Sequence, residues 1–316
     1  MFRKHTRRAA KAAFAISFGV ALLIGLTACG GGGGSSSTTA TTSAAKPTIT
    51  LGTKNFGEEY ILGQLYGQAL QAKGFPVTYK GSFGSSELAD KAITSGKMNF
   101  YPEYTGVVAL DLAKAPSAPK SANSTFVVAK KFENKRGLTM LNPTPFADTD
   151  TFTVLKTTAT KDGLKSMSDL SKLKSFSYAG YPECQTRITC ILGMKQIYGL
   201  KNISFIPIGS ISVYTLLDQN KATGGDGFST DPQQLQTNKY TALVDDKHIF
   251  GFQNVAPVLK KTLITGPNGA LLVSTANAVS AKLTLAAMQA MNKAYAVDKK
   301  TPKEIANQFL SANGLK

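Results

Sequence analysis

Side chains that could support catalysis are scarce in this chain of 316 residues. His248 is the one histidine outside the first few residues, and a lone histidine is more often a surface or hydrogen-bonded residue than a general base. No Gly-x-Ser-x-Gly, His-Glu-x-x-His or Gly-x-x-x-x-Gly-Lys segment occurs. Glu58 and Glu59 are adjacent, but they open a predicted helix, where negative charge suits the helix dipole. We therefore expect no enzyme, no cofactor and no metal site.

Aromatic and small polar residues cluster instead where predicted strands end. The segments are Lys54-Asn55-Phe56, Tyr101-Pro102-Glu103-Tyr104-Thr105-Gly106, Asp150-Thr151-Phe152 and Gly227-Phe228-Ser229-Thr230-Asp231. In open α/β sheets, ligands bind beyond the carboxyl ends of the strands. Each segment alone is typical of a core or a turn, but together they predict a cleft lined by aromatic rings.

The elements that would position these segments alternate between short strands and amphipathic helices. Strand patterns occupy residues 48–53, 77–80, 98–101, 151–156, 176–179 and 203–208. Helical patterns occupy residues 58–73, 86–96, 168–170, 188–198 and 214–220, and a last helix begins at the capping box Thr301-Pro302-Lys303-Glu304. This alternation predicts an α/β fold.

The N-terminus has the parts of an export signal. Five basic residues precede an apolar run at 12–26, which is shorter than the roughly 20 residues of a membrane-spanning helix. Leu26-Thr27-Ala28-Cys29 follows and resembles a bacterial lipobox. We expect residues 1–28 to be a lipoprotein signal peptide and Cys29 to carry a lipid that anchors an extracytoplasmic protein to the membrane. The alternative is an ordinary secretory signal with an incidental cysteine.

Composition divides the rest of the chain into a tether and a globular part. Residues 29–47 are nearly all Gly, Ser, Thr and Ala, which is typical of a flexible linker. Residues 48–316 are long enough for two lobes, each with its own core. Beyond the leader, 31 of the 36 Lys and Arg residues remain against 19 Asp and Glu. The lysines are scattered, which favours a solvated surface over a nucleic-acid-binding face.

Cys184 and Cys190 are the two cysteines of the globular part. Their spacing is not that of a Cys-x-x-Cys metal or redox pair, and no histidine lies nearby. In an oxidising compartment we expect a disulfide between them. Two separate, reduced and buried thiols are the alternative.

Several segments together resemble the osmoprotectant-binding proteins of ABC transporters, which bind glycine betaine, choline, carnitine and related quaternary ammonium compounds. They are Gly52-Thr53-Lys54-Asn55-Phe56-Gly57-Glu58-Glu59-Tyr60-Ile61-Leu62-Gly63, Tyr101-Pro102-Glu103-Tyr104-Thr105-Gly106, Phe228-Ser229-Thr230-Asp231, Asp245-Asp246-Lys247-His248, Ala256-Pro257-Val258 and Thr301-Pro302-Lys303-Glu304-Ile305-Ala306. The resemblance spans about residues 48–315. It implies a type II periplasmic binding-protein fold, in which two α/β lobes are joined by two crossover strands. We place one lobe at about 48–150 plus 255–316 and the other at about 151–254, with hinges near Asp150 and Asn254.

The resemblance also implies the site residues. In the family an aromatic cage holds the trimethylammonium group by cation–π attraction, and basic side chains hold a carboxylate if there is one. Matching positions here are Lys54 and Arg187 for the basic residues, Asp150 for an acidic residue of the cage region, and Tyr104, Phe152 and Phe228 for cage rings. The last cage position falls on Phe252 or Gln253, and we assign it to Phe252. Phenylalanine in place of tyrosine keeps the ring and loses the hydroxyl, so the ligand itself stays open.

These features predict a monomeric solute-binding protein of an ABC importer, with a permease and its ATPase as partners and no nucleic acid. Its ligand would be a quaternary ammonium osmoprotectant. The alternatives are a receptor for another zwitterion, such as ergothioneine or an amino acid, and a sensor that kept this fold without transport.

Overall fold

The computed structural model describes residues 45–209 and 211–316. The predicted signal peptide, Cys29 and nearly all of the predicted tether lie outside the described residues.

The first of two five-stranded sheets has the strand order β2-β1-β3-β10-β4. Its strands are β1 (Ile49–Thr53), β2 (Val77–Ser82), β3 (Phe100–Tyr104), β4 (Leu138–Met140) and β10 (Val255–Lys260). β1 is parallel to β2 and β3, whereas β10 is antiparallel to β3 and β4. The helices of this part are α1 (Gly57–Ala72), α2 (Ser86–Thr94), a π-helix (Val107–Leu112), α3 (Ala122–Lys135), α7 (Gly269–Lys282), α8 (Leu285–Ala296) and α9 (Pro302–Ala312).

The second sheet has the equivalent order β7-β6-β8-β5-β9. Its strands are β5 (Asp150–Leu155), β6 (Phe176–Gly180), β7 (Ile203–Pro207), β8 (Gly224–Phe228) and β9 (Tyr240–Leu243). β6 is parallel to β7 and β8, and β5 is antiparallel to β8 and β9. The helices are α4 (Lys156–Asp162), α5 (Ile191–Gln196) and α6 (Val213–Asp218), with 3-10 turns at Met167–Lys172, Pro182–Thr186 and Pro232–Leu235.

Two crossover segments join the sheets. The chain leaves the first sheet after β4 and returns to it with β10. Each sheet contains both parallel and antiparallel strands and has its own helices. An antiparallel bridge joins Ala147 to Asn254, and the Asn254 Nδ2 donates to the carbonyls of Thr144 and Phe146, each at 3.0 Å. The predicted two-lobe α/β fold is confirmed.

Local sequence signals explain where the main helices begin and end. In α1, Ile61, Leu65 and Ala69 are fully buried in the core of the first sheet. Gly74, with a φ of 77°, follows the helix and allows the left-handed turn before Pro76. At α9, Thr301 and Glu304 form the predicted reciprocal capping box. Apolar spacing and end signals thus agree with the structure in both helices.

The segment between β6 and β7 departs from the sequence prediction. Instead of one helix over 188–198, the chain forms the 3-10 turn at Pro182–Thr186 and the short helix α5. Cys184 and Cys190 are joined by a disulfide that closes this part of the chain. The bond holds residues 184–190 in a compact loop and thereby delays the start of the helix.

No single helix of residues 45–209 and 211–316 has the length and apolarity to cross a membrane. Helices α7 and α8 meet the criterion only when counted together, and they are bent by 86° relative to each other.

Reducing the disulfide should lower stability. Loop-closure entropy for so short a loop gives about 2 kcal/mol of unfolding free energy, because the bond restricts the unfolded chain. The loss of unfolding free energy is measured by chemical denaturation of the wild type with and without reductant and of the double variant C184S/C190S. Reduced wild type and double variant should coincide, and an unchanged denaturation midpoint in reductant would contradict the expectation.

Candidate functional site

A cavity lies between the two sheets, beyond the carboxyl ends of the parallel strands. Lys54 follows β1, Tyr104 ends β3, Tyr181 follows β6 and Phe228 ends β8, so each sheet contributes two strand ends. The complete lining is Lys54, Asn55, Phe56, Gly84, Ser85, Ser86, Tyr104, Val107, Asp148, Asp150, Tyr181, Glu183, Cys184, Arg187, Thr189, Cys190, Asp226, Phe228 and Gln253. Loops from both sheets and both crossover segments therefore meet at this cavity.

Four aromatic rings form part of the cavity wall. The Phe56 ring is nearly parallel to those of Tyr104 and Phe228, at centroid distances of 6.2 Å and interplanar angles of 17° and 3°. The Tyr181 ring lies 6.4 Å from that of Phe228 and is tilted by 38°. Rings from both sheets thus surround one space, and their π faces can attract an organic cation.

The position of Phe228 is fixed by the turn that follows it. The Asp231 carboxylate accepts hydrogen bonds from the Phe228 amide and the Tyr214 hydroxyl, each at 2.8 Å. Upstream in the same strand, a Cβ on Gly224 would lie 2.1 Å from the Phe152 ring. Small residues in β8 therefore allow the close packing that places Asp226 and Phe228 at the cavity.

Lys54 is almost completely buried, and its ammonium group is already paired. It forms an ion pair with Glu103 and lies 3.4 Å from Glu59. The same ammonium lies 3.9 Å from the centroid of the Tyr104 ring. Burial raises the pKa of Glu59 to about 8, even though Lys54 opposes the shift. Lys54 thus neutralises acids of the protein and covers one face of Tyr104.

Glu58 connects the cavity wall to helix α8. Its carboxylate accepts from the Tyr104 hydroxyl at 2.9 Å and from the Asn292 amide at 2.8 Å. Asn292 also donates to the Thr230 carbonyl at 3.2 Å, and the Thr230 hydroxyl donates to Asp148 at 2.6 Å. This chain of hydrogen bonds orients the Tyr104 ring and joins the turn after β8 to the first part of the molecule.

Acidic groups dominate the rest of the wall. Burial raises the pKa of Asp148 and Asp226 well above the ordinary value and raises that of Asp150 to about 6. After burial, the negative charge of Asp150 is the next cause that raises the pKa of Asp226. For Asp150 and Asp226, burial outweighs the charge of Arg187, which lowers both pKa values. A cation in the cavity would supply further positive charge.

Arg187 reaches the cavity from the disulfide loop, which we define as residues 184–190. Its guanidinium forms a two-point contact with Glu87 of α2, with Nε 3.0 Å from Oε1 and Nη2 3.1 Å from Oε2. Next to it, the Thr189 hydroxyl donates to Asp111 at 2.7 Å. The disulfide loop, which follows β6 of the second sheet, therefore directly contacts α2 and the π-helix, which belong with the first sheet.

Five of the seven residues predicted to bind ligand line the cavity: Lys54, Tyr104, Asp150, Arg187 and Phe228. Phe152 does not. It is fully buried in the core of the second sheet, with its ring 4.9 Å from that of Tyr178. Side chains at 150 and 152 share a face of β5, but the strand runs away from the cleft, so two residues move the side chain about 7 Å inward.

The prediction for the last cage position is also corrected. Gln253, not Phe252, lines the cavity, and the Gln253 side chain accepts from the Val107 amide at 3.0 Å and donates to the Phe250 carbonyl at 2.9 Å. Phe252 contributes its backbone carbonyl, which accepts from the Thr105 hydroxyl at 2.9 Å. An amide with both polar atoms engaged takes the place of a ring, because it holds the returning crossover segment against the π-helix.

The wall residues that sequence reasoning missed include one tyrosine and three acids: Tyr181, Asp148, Glu183 and Asp226. Tyr181 directly follows the predicted strand 176–179, so the strand-end rule could have found it. Asp148 precedes the segment Asp150-Thr151-Phe152 by two residues. Asp226 directly precedes the segment that begins at Gly227. Glu183 carries no comparable local signal, because only the folding of the 3-10 turn brings it to the cavity.

Comparison with known proteins assigns the chain to a family. The family described as "Substrate binding domain of ABC-type glycine betaine transport system" matches residues 47–312. The glycine-betaine-binding protein of Pseudomonas aeruginosa is 30% identical over 287 residues, which cover 86% of this chain and 90% of that protein. The ergothioneine transport permease/ergothioneine binding protein of Helicobacter pylori is 26% identical, covering 85% of this chain and 48% of that protein.

Solved structures show the same fold. A crystal structure described as a glycine betaine/carnitine/choline ABC transporter has a TM-score of 0.68 at 23% identity, and it covers 84% of this chain and 99% of that chain. Unliganded YehZ from Escherichia coli has a TM-score of 0.61 at 24% identity, with coverage of 87% and 100%. With the family match over nearly all of the described residues, the chain belongs to the substrate-binding domains of ABC-type glycine betaine transport systems.

Proposed function

We propose that this protein captures a quaternary ammonium compound outside the cytoplasmic membrane and delivers it to the permease of an ABC importer. The proposed site residues are Lys54, Tyr104, Asp150, Arg187 and Phe228, together with Phe56 and Tyr181, which line the same cavity. The protein does this without catalysis, as its family of transport proteins suggests. The lipid on Cys29 holds it near its permease.

The observation that carries this proposal is the combination of rings and acids around one cavity. Phe56, Tyr104, Tyr181 and Phe228 supply aromatic surface, and Asp150 supplies a carboxyl on the same wall. A trimethylammonium group is a cation with an apolar surface, so it needs both. The named ligands of related proteins, glycine betaine and ergothioneine, carry such a group.

Capture would proceed by closure of two lobes over the ligand. We assign one lobe to about 48–150 plus 255–316 and the other to about 151–254, with hinges near Asp150 and Asn254. The bridge between Ala147 and Asn254 lies between the sheets and keeps the crossover segments together. The contacts of the disulfide loop with Glu87 and Asp111 would form on closure and break on opening.

A ligand panel tests the proposal directly. The purified mature protein is titrated by calorimetry with choline, glycine betaine, carnitine and ergothioneine. We expect saturable binding of at least one of them, with a rise in melting temperature that follows its concentration. If none of the four gives heat or a thermal shift, the proposal is wrong.

Removing the Phe228 ring should weaken binding without unfolding the protein. Phe228→Ala loses one wall of the cavity, and a cation–π contact of about 1–2 kcal/mol corresponds to roughly fivefold to thirtyfold in Kd. Phe228→Tyr keeps the ring and should bind within about threefold of wild type. Calorimetry on the tightest ligand of the panel gives the comparison.

Phe152→Leu is the matched control for that experiment. Phe152 lies in the core and not on the cavity wall, so this variant should lower the melting temperature while leaving Kd close to the wild-type value. A large loss of affinity in Phe152→Leu, with none in Phe228→Ala, would restore the original assignment and contradict the structure.

Affinity for a cation should rise with pH. Burial raises the pKa of Asp150 to about 6, so its carboxyl is mostly neutral at pH 5 and mostly ionised at pH 7. Because the pKa of Asp150 is higher in the folded than in the unfolded chain, protonation of Asp150 contributes to the stability of the fold. That contribution is fully present below the unfolded pKa and is lost as pH rises through about 6. A bound cation favours the ionised carboxylate and offsets the loss. We expect up to about tenfold tighter binding at pH 7 than at pH 5. Titrations at constant salt measure this, and Asp150→Asn should flatten the profile; affinity that falls with pH would contradict it.

A further inference from the structure

Glu87 occupies the Nε–Nη2 edge of the Arg187 guanidinium, one of the edges at which an arginine can bind a carboxylate. Both Glu87 oxygens face the guanidinium in the two-point geometry by which arginine binds carboxylates. Burial alone would raise the pKa of Glu87, but its hydrogen bonds and the charge of Arg187 lower it to about 2. Glu87 therefore stays ionised across the physiological pH range.

Arg187 is held in this position by more than its partner. The disulfide between Cys184 and Cys190 closes the loop that carries it. Ile188 packs against the apolar cluster of the first sheet that contains Val108 and Leu110. With the hydrogen bond from Thr189 to Asp111, the loop has contacts on both sides of Arg187. The guanidinium thus points at Glu87 because the whole loop is fixed there.

Lys54 and Arg187 are the two basic residues of the cavity wall in the part of the chain that the structure describes. Lys54 is paired with Glu103 and lies 3.4 Å from Glu59, so it is matched by acids as well. Each of the two basic charges is therefore already matched by a carboxylate of the protein. A ligand carboxylate that contacted the remaining N–H groups of Arg187 would share one positive charge with Glu87, which leaves a net negative charge at this point of the wall.

The other ionisable groups that would face a ligand carboxylate are acidic. Asp148, Asp150, Glu183 and Asp226 border the cavity, and among the described residues none of the four has a Lys or Arg nitrogen within 4.0 Å. Asp150, with a pKa of about 6, is mostly ionised at pH 7 and repels a ligand carboxylate. Burial favours the neutral form of Asp148 and Asp226, and a nearby cation promotes their ionisation whereas an anion opposes it. The wall is therefore complementary to a cation and opposed to an anion.

We propose that Glu87 is a specificity-determining residue that makes this cleft select organic cations without a carboxylate, of the choline type, over zwitterions that carry one. The selection works by neutralising the charge of Arg187 with a carboxylate of the protein itself. This inference rests on the proposed function of the same site. It also departs from the role of carboxylate binder that the sequence predicts for Arg187.

Choline and glycine betaine are the two probes. Both carry a trimethylammonium group, but choline has a hydroxymethyl group where glycine betaine has a carboxylate. Both are titrated by calorimetry into the wild type, Glu87→Gln and Thr189→Val. We expect the wild type to bind choline at least about tenfold tighter than glycine betaine, as expected for an uncompensated like charge. In Glu87→Gln, the Kd ratio should move about tenfold toward glycine betaine, because Arg187 loses its anionic partner.

Thr189→Val controls for lobe closure. It removes the neighbouring contact with Asp111 without changing any charge, so it should alter both affinities by the same factor and leave the ratio unchanged. The ratio is the readout because a purely structural effect on closure cancels in it.

The outcomes separate the two proposals. If neither choline nor any other member of the panel binds, the proposed function fails. If the wild type binds glycine betaine as tightly as choline or tighter, the function stands and the inference on selectivity is overturned. If Glu87→Gln changes both affinities equally, as Thr189→Val should, the assignment of selectivity to Glu87 is overturned.

Discussion

Carboxyl groups outnumber basic side chains in the cleft, and most contacts across it follow from this imbalance. A buried charge is tolerated only when it is paired or hydrogen-bonded, so each acid must find a partner or hold a proton. Glu103 finds Lys54, Glu87 finds Arg187, and Asp148 accepts from Thr230. Asp226 accepts from the Tyr178 hydroxyl at 3.0 Å. Binding of a cation would complete a set of charges that the protein alone leaves incomplete.

The strand-end rule and local end signals account for what could be predicted from the sequence. Both depend on neighbours within a few residues: apolar spacing in α1, the turn at Gly74, and the capping box at Thr301. Because the parallel strands of each sheet end at one edge, segments such as Lys54-Asn55-Phe56 and the turn at Phe228 meet without further information. The fold and most of the cavity rings follow from these two sources.

The remaining features of the site depend on contacts between residues that are far apart in the sequence. Phe152 has the right spacing and residue type for a cage ring, but the direction of β5 takes it into the core. Gln253 and Phe252 differ by one position, and a one-residue shift exchanges the faces of an extended segment. Glu87, the partner of Arg187, lies on α2, 100 positions away in the sequence. Neither local segment contains a pattern that predicts this ion pair. Such contacts require the folded chain.

The acidic cleft belongs to a protein whose surface is strongly basic, since 31 Lys and Arg face 19 Asp and Glu beyond the leader. An approaching cation is thus repelled at long range and attracted only close to the cleft mouth. Electrolyte at physiological ionic strength screens exposed charges beyond about 8 Å, while charges within a cleft are screened much less. Capture of a cation should therefore become faster as ionic strength rises, the reverse of ordinary electrostatic steering.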